Sequence, residues 1–100
     1  MMNNIDFIMN QILSQKNIKE EKRTPEFLTG MEFIISKVTN EIKYRSIRQI
    51  ALNLSEIFNS INSHPEKWGS RSYREGIQTA IKYFLDIDET ISRTHGESSL

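Results

Sequence analysis

The chain has no cysteine, which excludes disulfides, a thiol nucleophile and a thiolate metal site. Its two histidines, His64 and His95, keep no recognised spacing to a serine, a carboxylate or a second ligand, so triad and metal-assisted chemistry lack their parts. Four glycines, all isolated from one another, cannot form a phosphate-cradling loop. Charge of one sign is missing too. Thirteen basic side chains balance thirteen acidic ones, without the basic excess usual in a nonspecific nucleic-acid binder. Apolar runs are short, as in Phe33-Ile34-Ile35, far below the ~20 residues of a membrane helix. The opening residues show none of the basic, apolar and small-residue order of a secretory signal. Strand-period alternation, internal repeats and low-complexity blocks are absent as well. These absences set the first expectation: a cytoplasmic, non-catalytic protein with no cofactor, no metal, no membrane contact and no small-molecule ligand.

What is present is helical periodicity. In 100 residues, 37% apolar and 26% charged, there is room for one domain with one modest core. From Ser72 to Arg93, Tyr73, Ile77, Ala80, Phe84, Ile87 and Ile91 recur at alternating spacings of four and three. Ile81 and Leu85 widen this seam to about 160° of the helix surface at ~100° per residue, enough for more than one neighbour. Ser72-x-x-Glu75 is a capping-box pattern at its start.

The earlier segments supply those neighbours. Ile5, Ile8, Met9, Ile12 and Leu13 share one face of a short leading helix, with Asn4 as its expected cap. Asn17 to Arg23 is a mixed-charge run expected to be a solvated linker or helix extension. Thr24-Pro25-Glu26 then signals a helix start, with a capping hydroxyl, a proline at the first helical position and an acid at the positive dipole end. Phe27, Met31, Ile34 and Val38 form its stripe, and Asn40 is expected to close it in the left-handed conformation. Gly30 lies inside this helix at ~1 kcal/mol less favourable than alanine, which predicts a close helix crossing there. Ser46-x-x-Gln49 caps a third helix carrying Ile47, Ile50, Leu54, Ile57 and Ile61, which stops at His64-Pro65.

The fold predicted is all-α: three main helices in a small bundle, led by a short amphipathic one. Within a single domain, 1–23 forms the leading helix and polar linker, 24–93 the helical core and 94–100 a flexible tail. The candidate core or dimer seam is Ile50, Leu54, Ile57, Tyr73, Ile77, Ala80, Phe84 and Ile87. Its width, with Phe7, Phe33 and Leu52 lying off their stripes, predicts a homodimer.

Charge placement says more than its total. Residues 37–74 hold seven basic side chains against three acidic, and 75–100 hold two against five. Antiparallel pairing of the last two helices would set Asp86, Asp88 and Glu89 beside Lys43, Arg45 and Arg48. Asp88 falls in the apolar arc of its helix and so needs a basic partner, Arg48 or Arg45. At the other end Lys67, Arg71 and Arg74 surround Trp68. They form a candidate partner or nucleic-acid contact, or a tip where Trp68 covers the core and the basic groups are solvated.

Glu26-x-Leu28-x-Gly30 opens a helix, a turn with Ile42 follows, then an Ile/Leu-rich helix (Ile47, Ile50, Leu54) and a closing one with Ile77, Ile81 and Phe84. Over about residues 24–87 this resembles the small enterobacterial biofilm and acid-resistance regulators of the AriR/YmgB type. The turn around Trp68-Gly69 and the leading segment are longer than in that family. The resemblance implies a dimeric, non-enzymatic connector in a regulatory network, for which DNA binding is also proposed. The expected function is therefore a helical regulatory protein acting on another protein, with stress-response and transcriptional outcomes. A phage or mobile-element inhibitor or immunity protein is the alternative. Direct DNA binding through the tip is a further one, which the neutral net charge does not favour.

Overall fold

The computed structural model describes residues 4–98, with the side chains of residues 4–91 and of Arg93. Among these, four α-helices and two 3₁₀ turns make up the regular structure, and there is no strand. The helices are α1 (Asn4–Gln15), α2 (Pro25–Glu41), α3 (Ile47–Ser63) and α4 (Arg71–Ser98). None is long and apolar enough to cross a membrane.

Local chemistry fixes the helix starts. The Phe27 N–H donates to Thr24 Oγ1 at 3.2 Å, with Pro25 at the first helical position. The Gln49 N–H donates to Ser46 Oγ at 3.1 Å and opens α3. In α4 the cap is Ser70 and not the expected Ser72, because the Tyr73 N–H donates to Ser70 Oγ at 3.2 Å. Gly69 takes a positive φ of 91°, turns the chain early, and leaves Ser72 inside the first turn. Asn4 is already helical, and the residues before it lie outside the described ones.

Two helix ends also differ from expectation. Asn40 stays within α2, which runs on to Glu41 with Ile42 still right-handed. The Glu41 carbonyl accepts from the N–H groups of Tyr44 and Arg45, so no left-handed residue is needed. The left-handed cap falls at Asn17 instead (φ 54°). There the Ile18 N–H reaches Leu13 O at 3.0 Å and the Asn17 N–H reaches Ser14 O at 3.2 Å, the paired bonds of a Schellman closure. The 17–23 run is mostly exposed, as a solvated linker should be, and the Arg23 guanidinium ties its two ends by clamping the Ile18 carbonyl through Nε at 3.1 Å and Nη2 at 2.8 Å. At the far end α4 continues past Arg93 to Ser98, since extending a formed helix needs no further nucleation. Residues 99 and 100 of the expected tail lie outside the described ones.

The core is organised on α4. Its main partner is α2, α3 packs beside α2 on the same helix, and α1 rests on α2. Helices α2 and α3, although consecutive, make no extensive contact with each other. The α2–α4 crossing is nearly backbone to backbone. A Cβ on Gly30 would collide with Tyr73 O and lie 3.0 Å from Ile77 N, and one on Gly76 would collide with the carbonyl of Phe27. Around it Met31, Ile34, Ile35, Leu54, Ile77 and Ile81 are fully buried, with Ile12 closing the α1 side. Each contributes roughly 1.5–3 kcal/mol relative to exposure.

Candidate protein-interaction site

Of the residues singled out as a seam, Ile50, Leu54, Ile77 and Ala80 are buried, and Ile57, Tyr73 and Phe84 are half-buried. Ile87 is exposed. The width of the α4 seam is accounted for within one chain, since α2 and α3 both pack on it.

The tip between α3 and α4 is built by one 3₁₀ turn (Pro65–Lys67) and the Gly69 reversal. Trp68 Nε1 donates to Ser60 Oγ at 3.1 Å, and the half-buried ring packs against the core. Arg71 Nε lies 3.1 Å from Glu75 Oε1, and Arg74 Nε donates to the Ser70 carbonyl at 3.4 Å. Arg71 and Arg74 share the wall of an open depression with Glu75, while Lys67 and Trp68 lie outside that wall. Arg71 is thus matched by a carboxylate, while Arg74 turns back to the backbone at the start of α4. The four residues do not converge on one point.

Asp86, Asp88 and Glu89 of α4 go to three different partners. Arg48 Nη1 lies 3.1 Å from Asp88 Oδ2, whose residue is only 7% exposed. Asp86 turns to Lys16 of α1 at 2.7 Å, and Glu89 to Arg93 at 2.8 Å. Only Asp88 therefore reaches the basic cluster, because Asp86 and Glu89 project about 160° and 100° away from it around α4. Among the described residues no group of three or more potential ligands is placed to hold a metal ion. His64 Nδ1 lies 3.7 Å from Glu66 Oε1, and the His95 side chain is outside the described ones.

The stretch 42–49, of which the periodic pattern singled out only Ile47, is exposed at every position. Ile42, Tyr44 and Ile47 alternate there with Lys43, Arg45 and Arg48, and no acid is included. Arg45 stacks its guanidinium 5.5 Å from the Tyr44 ring centre and lies 3.9 Å from Glu41 Oε1. Glu41, nearly buried, also accepts from Lys37 Nζ at 3.2 Å, and its Oε2 has no hydrogen-bond partner. Beside this stretch, α2 and α3 diverge over α4 and leave an apolar groove of about 140 Å³. Val38 and Ile42 form one wall and Ile47, Ile50 and Leu54 the other, with Phe84 and Ile87 between them. The rim is unusually apolar for solvent: Ile42 is 54% exposed, Ile47 40% and Ile87 37%, with Tyr44 nearby in sequence at 69%.

The chain matches no protein-family model, no characterised protein and no solved structure. The groove's signal in the sequence was the interleaving of apolar and basic residues over 42–48, where the stripe of the second helix gives way to that of the third.

Proposed function

We propose that this chain is a non-catalytic helical regulatory protein that acts by binding another protein at the groove between the α2–α3 turn and α4. One observation carries the proposal: Ile42, Ile47 and Ile87 keep substantial exposure around a preformed apolar recess. Apolar surface gathered around a concavity favours a partner that removes it from water, at roughly 25 cal/mol per Å². The resemblance to small biofilm and acid-resistance regulators points the same way. The homodimer expected from the seam is a separate proposal, which sedimentation tests, and direct DNA binding is less favoured, since Arg71 is matched by Glu75 at the basic tip.

The test is capture from native lysate on the immobilised protein, with and without nuclease treatment, beside the Ile47→Glu variant. Ile47 is the first residue of α3, where an acid suits the helix dipole, so this variant keeps its fold. A protein retained by the wild type and lost by the variant supports the proposal. Retention of nucleic acid, or of the same protein by both forms, overturns it.

A further inference from the structure

We infer that the groove receives one large apolar side chain of an amphipathic helix from a partner protein, and that acidic residues flank that side chain. The inference rests on the function proposed above and specifies the partner's chemistry. Size comes first. A recess near 140 Å³ is comparable to cavities of about 150 Å³ that hold a single benzene ring, so it fits one leucine or phenylalanine. Its walls are apolar side chains from two diverging helices, the arrangement in which an apolar helix face lies in a groove.

Charge then selects the occupant. The charged residues next in the chain to the groove's lining are Glu41 and Lys43 on either side of Ile42, Arg48 after Ile47 and Asp88 after Ile87, with Arg45 two residues before Ile47. Asp88 is matched by Arg48, and Glu41 is shared between Lys37 and Arg45. Lys43 makes no ion pair among the described residues. Around the groove this leaves one cation in excess, Lys43, which an acidic residue flanking the inserted side chain would complement. A second copy fits less well, because a two-fold contact would set each basic rim against its own image. Nucleic acid fits less well too, since Ile42, Ile47 and Ile87 would lose water without gaining an apolar partner.

The test uses two fluorescein-labelled peptides of roughly 18 residues, five helical turns. Both carry the same Leu/Phe stripe, one with glutamates beside it and one with lysines. Fluorescence anisotropy against the full chain should show the glutamate peptide binding at least tenfold tighter at low salt, with the gap narrowing in high salt. Ile47→Glu should weaken it tenfold or more. Lys43→Glu with Arg45→Gln should reverse the preference, while circular dichroism verifies each fold. Equal binding of both peptides, binding unaffected by Ile47→Glu, or no binding by either overturns the inference. So does tight binding of a labelled DNA duplex that Ile47→Glu abolishes, or sedimentation showing a dimer that this variant dissolves. If lysate capture succeeds while both peptides fail, the proposed function stands and only the occupant's chemistry falls.

Discussion

Gly30 of α2 and Gly76 of α4 are reciprocal: each lies where the other helix's backbone leaves no room for a Cβ. Gly30 meets the Tyr73 carbonyl and Gly76 meets the Phe27 carbonyl. Alanine at either position gains ~1 kcal/mol of intrinsic helix propensity. Overpacking costs about 1–3 kcal/mol or more, and a backbone carbonyl inside a helix has little freedom to yield. The clash wins. Gly30→Ala and Gly76→Ala should each lower the urea midpoint. The double variant should lose less than the sum, since one substitution already separates the helices. Strict additivity would show that the crossing does not act as a unit.

The Arg48–Asp88 pair joins an exposed cation to a nearly buried carboxylate. Arg48→Met leaves that carboxylate without this partner and should destabilise by about 1–3 kcal/mol. Adding Asp88→Leu should recover most of the loss, because an apolar pair can replace a buried ion pair. A double variant as unstable as Arg48→Met would place the loss elsewhere than in the stranded charge.

Asn17 closes α1 in the left-handed conformation, where a β-branched residue is strained by roughly 1–2 kcal/mol. Asn17→Val should destabilise by that amount and Asn17→Gly should be neutral or stabilising, as read by thermal unfolding. Equal stability of the two variants would mean that the closure is not maintained in solution.

Trp68 is the chain's single tryptophan, so its fluorescence reports the α3–α4 tip. Ser60→Ala removes the acceptor of its Nε1–H and should cost about 0.5–1.5 kcal/mol. The emission maximum should shift as well. Arg71→Glu with Arg74→Glu should leave partner capture unchanged; loss of capture would move the interaction site to this tip.

Local signals were legible in the sequence. Thr24 and Ser46 announce their helices because a cap needs only three following residues, and Gly30 implies a close approach because little else justifies it mid-helix. Its counterpart Gly76 was not legible, since which glycine faces which depends on how two helices cross. Ser72 outbid Ser70 on pattern alone, because the positive φ of Gly69 is not written in the cap spacing. The groove escaped for a similar reason. Helical stripes show what each helix buries, whereas the cleft arises from α2 and α3 diverging over a third helix.

That divergence has a consequence for how the molecule is made. During synthesis, α2 and α3 emerge with little surface to offer each other. The helix on which both rest begins only at Arg71. Until α4 has left the ribosome, Met31, Ile34 and Leu54 have no completed core to enter, and the chain must travel exposed. Folding of this bundle waits on its last helix, and a nascent chain stalled before it is a client for chaperones.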